Sequence, residues 1–217
     1  MRRSMYWCSL VLLCLLGGVG VSRAQQQTAA ENKLFFEADA SVSLSKIQNL
    51  YAGEPHWGHR IGGVVGWKFG ATENIFAIKA GLYSITKGEG LKGAEVGYDA
   101  VNFWNIEIPF LAAVKYPISE TTFLGAEVGP FVSVGLAGSF SGKNKSLANI
   151  FSSSGAMDSF NRLDLGLTAI GSVYLYNNFK LQVGGDIGFL NRLSGENSKM
   201  TATARAYSVF MGVGYHF

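Results

Sequence analysis

The sequence predicts an all-β chain: an eight-stranded antiparallel up-and-down transmembrane β-barrel with short periplasmic turns and long extracellular loops. Three observations carry the prediction. First, residues 205–217 alternate strictly, with Tyr207, Val209, Met211, Val213, Tyr215 and Phe217 on one face. Ala206, Ser208, Gly212, Gly214 and His216 fall on the other face, with Phe210 the single large exception. An apolar face against lipid and a small, polar face toward a lumen fit a closing barrel strand, and a terminal Phe fits an aromatic girdle. Second, eight such segments are joined by connections that alternate in length. Third, no stretch after residue 24 is continuously apolar for the ~18 residues a membrane helix needs.

In chain order, strands are expected near 33–45, 59–69, 74–87, 102–117, 122–140, 160–176, 179–191 and 204–217. The first shows Leu34, Phe36, Ala38, Ala40, Val42 and Leu44 on one face; the second shows Ile61, Val65, Trp67 and Phe69. Phe76, Ile78, Ala80 and Leu82 mark the third, and Trp104, Ile106, Ile108, Phe110, Ala112, Val114 and Tyr116 the fourth. The fifth carries Leu124, Ala126, Val128, Val132, Val134 and Leu136, and the sixth Leu163, Leu165, Leu167, Val173 and Leu175. Phe179, Leu181, Val183, Ile187 and Phe189 mark the seventh. Short links fall at Gly70–Glu73, Ile118–Thr121 and Asn177-Asn178, and long ones near 46–58, 88–101, 141–159 and 192–203. A barrel with both ends in the periplasm needs its second, fourth and sixth links short, and they are.

The amino end reads as an export signal. Met1-Arg2-Arg3 supplies a positive start, Leu10 to Leu16 an apolar run, and Ser22-Arg23-Ala24 a small-x-small cleavage site. Residues 1–24 are therefore expected to be removed, leaving a polar lead over 25–32 and a barrel domain over 33–217. Cys8 and Cys14 leave with the signal, so the mature chain forms no disulfide. Of 18 basic residues three leave as well, and the remaining 15 balance 15 acidic ones. The formal charge of +3 thus belongs to the signal and argues for no nucleic-acid partner.

Opposite the apolar rows stand Glu37, Asp39, Arg60, Lys68, Lys79, Glu107, Lys115, Glu127, Arg162, Asp164 and Asp186. The interior of an eight-stranded barrel is just wide enough for side chains to fill. Charges there must pair, so the expected lumen is plugged by salt bridges. Pro109 and Pro130 interrupt the fourth and fifth strands and are expected to mark bulges or register pins.

Catalytic and metal chemistry have thin support. His56 and His59, in Pro55-His56-Trp57-Gly58-His59, are expected in the first outer loop, where two imidazoles can share an ion. Neither Cys nor a clear acidic partner completes that set. His216 lies beside the carboxy terminus with no nucleophile signature, and contact between the outer-loop histidines and Ser152–Ser154 or Ser194 does not follow from sequence. No catalytic, cofactor-binding or metal residue is assigned, and no cofactor is expected. Leu50, Tyr51, Trp57, Leu91, Val96, Tyr98, Leu147, Ile150, Phe151 and Met157 are apolar residues in otherwise polar loops, where they form a partner surface or pack on one another.

Several of these segments resemble the outer-membrane β-barrel family typified by the PorT proteins of the Bacteroidetes. Gly81-Leu-Tyr-Ser-Ile-Thr-Lys-Gly88 is similar to the family's third strand ending in Lys-Gly, and Asn105-Ile-Glu-Ile-Pro-Phe-Leu111 to its x-(I/L)-E-(I/L)-P-(L/F)-L strand. Gly125-Ala-Glu-Val-Gly-Pro-Phe131 resembles its Gly-Pro-Tyr strand, with Phe131 replacing Tyr. Arg162-Leu-Asp-Leu-Gly166 resembles its Asp-x-Gly strand start, and the Phe217 ending fits as well. The resemblance implies an eight-stranded barrel in the outer membrane, in a family whose named members assist a protein secretion system. It carries over no functional residue.

The expected function is a non-enzymatic integral outer-membrane barrel that binds a partner or serves an envelope or secretion assembly. Its expected partners are the lipid bilayer, the barrel-assembly machinery through the last strand, and an envelope or secretion protein. The alternatives are a passive membrane-stabilising barrel or narrow pore, and a lipid-modifying enzyme.

Overall fold

The computed structural model describes residues 33–48, 53–69, 75–91, 99–142, 146–148, 150–151, 159–194 and 204–217. Eight long strands follow one another: β1 (Leu34–Ile47), β2 (Glu54–Phe69), β3 (Ile75–Gly90), β4 (Ala100–Ser119), β5 (Thr122–Ser141), β6 (Leu163–Leu175), β7 (Phe179–Gly188) and β8 (Ala206–His216). Each pairs antiparallel with its neighbours in sequence, and β8 pairs with β1 from Glu37↔His216 to Ile47↔Ala206. The sheet is closed, as the alternation predicts, and every backbone donor and acceptor of the wall has a neighbouring strand. Two short ribbons extend it: Ser146–Ala148 folds back on β5, and Ser159–Phe160 pairs with Leu193–Ser194.

The faces are inverted relative to a soluble sheet. Leu34, Phe36, Ile78, Leu82, Phe110, Val128, Val183 and Met211 are exposed on the outside, while Glu37, Lys79, Glu107, Glu127 and Lys180 are buried inside. Such a surface is stable only where lipid replaces water. Aromatic residues gather toward both margins of this belt, with Trp57, Trp104 and Tyr207 near the long-loop end and Trp67, Tyr116 and Phe179 near the other.

The strand ends differ from expectation at the long-loop rim. β1 reaches Ile47, β2 begins at Glu54 rather than residue 59, and β3 continues to Gly90, because Glu54↔Gly90 and Pro55↔Glu89 still pair. Above the membrane the ladder continues without apolar alternation, so hydropathy loses it. His56, Trp57 and His59 therefore lie in β2 and not in the first outer loop. Conversely β6 begins at Leu163 and β7 ends at Gly188, because Ser159–Phe160 and Leu193–Ser194 form a separate ribbon.

At the opposite rim the links are tight. Residues 120–121 join β4 to β5, and residues 176–178 join β6 to β7. Tyr176 and Asn177 adopt left-handed φ of 51° and 66°, one residue earlier than the expected Asn177-Asn178 turn. The expected Gly70–Glu73 turn lies outside the described residues.

Pro109 and Pro130 do not mark bulges. The register runs Ile108↔Val132, Pro109↔Phe131, then Ala112↔Val128, without a shift. A missing N–H removes a ladder bond but adds no residue, whereas a bulge requires the extra residue. The register shifts lie at Trp104/Asn105, at Pro117/Ser119 and between Pro55 and Arg60. The first leaves Leu136 and Ala137 both facing out.

Large rings enter this narrow interior opposite glycines. Phe35 faces Gly66 and Phe210 faces Gly184 across their strand pairs. A Cβ at either glycine would lie within 2.5 Å of a ring atom, so the missing side chain is what seats each ring.

Candidate functional site

Among the described residues, chemistry-bearing side chains converge in the lumen. Nine of the eleven charges expected there are buried in it, namely Glu37, Asp39, Arg60, Lys79, Glu107, Lys115, Glu127, Asp164 and Asp186, and Lys68 is half-buried. Arg162 is the exception. It precedes β6, is exposed, donates from Nη1 to the carbonyl oxygen of Gly135 at 3.1 Å, and lies 4.7 Å from the Phe151 ring centre. A strand beginning at residue 160 would have put 162 and 164 on one face; with β6 beginning at 163, only Asp164 enters the lumen.

Among the described residues four further charges are buried here that the opposite-face pattern above does not include. Lys180 stands between Phe179 and Leu181 on β7, and alternation alone points it inward. Lys87 and Glu89 lie at or beyond the strand end drawn from hydropathy, and Arg192 lies in a connection.

The inner group sits toward the periplasmic end. Lys79 Nζ donates to Glu37 Oε2 at 2.8 Å and to Glu127 Oε1 at 2.9 Å. Lys180 Nζ reaches the same two oxygens at 3.1 and 2.9 Å and lies 3.7 Å from Asp39 Oδ1. The Tyr174 hydroxyl donates to Glu37 Oε1 at 3.0 Å, and His216 Nδ1 lies 3.1 Å from that oxygen. Two lysines thus bridge two carboxylates. Removing any one of the four leaves a buried ion short of a partner, which is costly where water cannot replace it.

A second group lies toward the outer end. Glu107 accepts from Lys87 Nζ at 3.2 Å and lies 3.5 Å from Arg60 Nη2. Asp186 accepts from the hydroxyls of Thr168 at 2.7 Å and Ser208 at 2.9 Å, with Lys87 at 3.7 Å. Tyr83 joins the two groups: its hydroxyl donates to Asp39 Oδ2 at 2.6 Å, and Arg60 stacks on its ring at 3.6 Å. Arg192, outside the strands, lies 4.8 Å from the Phe103 ring centre; burial lowers its pKa from the ordinary value, and Asp164 opposes the shift.

Above the ions the lumen becomes apolar. Ile47, Leu91, Val101, Phe103, Phe140 and Ile150 pack with Phe160, Leu193, Ala204 and Ala206, and Phe151 packs against them. The rings of Phe103 and Phe160 meet edge to face at 5.0 Å. Wall and connections contribute together, so the outer mouth is stoppered by side chains of the chain itself.

This cap accounts for some of the apolar loop residues. Leu91, Ile150 and Phe151 pack on one another's neighbours above the barrel. Trp57 is exposed on the outside of β2. Leu147 pairs with Phe140 in the ribbon, and Leu50, Tyr51, Val96, Tyr98 and Met157 lie outside the described residues.

The histidines do not converge. On a strand, residues three apart face opposite ways, and His59 is exposed beside Thr86 Oγ1 at 3.1 Å while His56 lies on the Arg60 face. They cannot share one ion. His216 is buried against Glu37, Lys68, Lys115, Phe35 and Tyr174. Ser152–Ser154 lie outside the described residues. Among the described residues no group of three or more His, Cys, Asp or Glu is placed to hold a metal.

The model of the family described as outer membrane protein beta-barrel domain matches residues 15–194. In structure the chain is similar to Ail, the attachment invasion locus protein of Yersinia pestis, with 11% identity, a TM-score of 0.39 and coverage of 85% of this chain and 97% of that one. It is also similar to Neisserial surface protein A, with 13% identity, a TM-score of 0.44 and coverage of 86% and 98%. For OprG from Pseudomonas aeruginosa the identity is 10%, the TM-score 0.44 and the coverage 86% and 97%. No curated protein matches the chain. The family match spans most of the sequence, and a closed sheet with an apolar exterior is the architecture it calls for: the chain belongs to the outer membrane protein beta-barrel domain family and is an integral barrel of the outer membrane.

Proposed function

We propose that this is a non-enzymatic barrel with a sealed lumen, acting through its rims as a binding or assembly component of the cell envelope. The observation that carries the reading is the doubly filled interior, with paired ions below an apolar cap. Moving a hydrated ion past that cap would strip its water among the rings of Phe103, Phe140 and Phe160. The motifs at Asn105–Leu111 and Gly125–Phe131 favour a PorT-like protein serving a secretion system. Residues 1–24 act as its cleaved export signal, and β8 presents the signal read by the barrel-assembly machinery.

Leu91, Ile150, Phe151 and Phe160 are committed to the cap, which leaves fewer apolar groups for a partner outside. The partner contact falls on rim residues outside this cap. Crosslinking in intact cells, with purification in mild detergent through a tag within residues 25–32, tests this. Recovery of one envelope protein in fixed ratio is the expected result; a solitary heat-modifiable monomer contradicts it.

A further inference from the structure

We propose that the outer face of β2, β3 and β4, where it reaches the outer-leaflet margin, binds the neutral sugar headgroup of a glycolipid. His59, Ser84, Thr86 and Asn102 lie on these three neighbouring strands. Beside them Arg60, Tyr83, Ile85, Lys87 and Phe103 are buried in the lumen, and alternation turns the four polar side chains outward. Thr86 Oγ1 lies 3.1 Å from His59 Nδ1, and the Trp104 indole N–H donates to Ser84 Oγ at 2.8 Å. Thr86 pairs with Trp104 and Gly88 with Asn102, so the groups adjoin across the ladder. Trp57 on β2 and Trp104 on β4 flank them, 66% and 47% exposed.

The adjoining strands keep an apolar face along the same rows. His59 pairs with Val42, which in turn pairs with Met211, and both are exposed to lipid. Two residues nearer the rim, Leu44 and Val209 are apolar as well. Anchoring at the membrane margin needs only the aromatic belt. A polar group facing hydrocarbon costs stability unless something pairs with it, and here four such groups stand together. The face is continuous with the lipid-covered wall, so the groups that meet it there are lipid headgroups.

The chemistry of the four side chains selects the headgroup. None is a Lys or Arg, so a phosphate finds no cation among them. Sugar hydroxyls both donate and accept, as do a Thr or Ser hydroxyl, a neutral imidazole and an amide. The exposed indoles offer flat apolar faces to the C–H side of a sugar ring. Asn102 has bonding capacity to spare, since its Oδ1 has no hydrogen-bond partner among the described residues. Gly88 across from it keeps the space: a Cβ there would stand 3.0 Å from that oxygen. The terminal torsion of an amide is broad, so the group swings readily toward a ligand. The site lies outside the wall and is independent of whether the lumen is sealed.

The test is native mass spectrometry of the full mature barrel released from vesicles that hold digalactosyl diacylglycerol and phosphatidylglycerol in equal amounts, with matched acyl chains. Preferential retention of the glycolipid in a fixed ratio is expected. It should fall about tenfold or more in Thr86→Val with Asn102→Leu, the scale of two lost hydrogen bonds. Both changes set apolar groups against lipid, so the variant should still insert, which heat-modifiable migration checks. Leu163→Thr, on the outside of β6, should leave retention unchanged. Equal retention by the double variant and the parent overturns the site, because Trp57 and Trp104 then only anchor the wall. Preference of the parent for phosphatidylglycerol, or for neither lipid, overturns it as well, and that comparison decides the question even where the variant does not insert.

Discussion

Phe210 lies directly across from Gly184, and a Cβ at residue 184 would stand 2.5 Å from the tip of its ring. The ring is buried with Leu111 and Ile170 between the two ionic groups, under the Arg60 guanidinium at 4.8 Å. The large residue that breaks the small-and-polar face of β8 is thus seated by a glycine on β7.

That pairing predicts a reciprocal mutant effect. Gly184→Ala should destabilise the barrel by about 1–3 kcal/mol through overpacking, because Ala169 O also stands 2.7 Å from the new carbon. Phe210→Ala leaves a cavity and should cost about 3–5 kcal/mol. Combined, the two should cost measurably less than their sum. Reversible urea unfolding in liposomes reads all three, and strict additivity would show that the ring and the glycine are not coupled.

The inner ionic group predicts another non-additive pair. Lys79→Met strips a donor from both Glu37 and Glu127, and truncating one member of a buried pair costs about 3–5 kcal/mol. Adding Glu127→Gln removes one of the stranded charges and should restore part of the loss. A double variant less stable than Lys79→Met alone would mean that Lys180 does not hold the remaining carboxylate as its 3.1 Å contact with Glu37 indicates.

On the outside, Leu165 is 40% exposed in the middle of β6, among Leu163 and Leu167. Leu165→Arg should cost about 2–4 kcal/mol in a bilayer. Leu165→Phe, which keeps an apolar surface, should fold like the parent. Equal unfolding free energies for the two variants would sink the lipid-facing assignment.

The parts of this fold legible in the sequence are those where one physical rule acts alone. Across the bilayer, lipid outside and a crowded lumen inside impose period two, and every apolar row from Leu34 to Phe217 faces as expected. Above the bilayer that constraint lapses. Glu54–Pro55 and Glu89–Gly90 continue a ladder that carries no hydropathy signal, so His56 and His59 read as loop residues and Lys87 and Glu89 were not placed in the lumen. The cap was beyond reach for a different reason: Leu91, Ile150, Phe160 and Leu193 meet only through long-range folding of separate connections. Charge pairing could be anticipated as a necessity, but the partners could not, since Lys79 and Glu37 are brought together by barrel closure and not by spacing.

The cap predicts a layered seal. Phe103→Ala with Phe160→Ala should loosen the outer mouth, read as faster protease cleavage within the outer connections, yet the ionic groups around Glu107 and Glu37 remain in place. Unchanged cleavage would show that those rings do not hold the connections down.

The most direct measurement of the central claim is conductance of the purified barrel in a planar bilayer bathed in concentrated potassium chloride. A sealed lumen predicts a quiet baseline from the parent protein, and from Phe103→Ala with Phe160→Ala as well, because two further layers lie below the cap. Steady, discrete current steps from the parent protein would contradict the account.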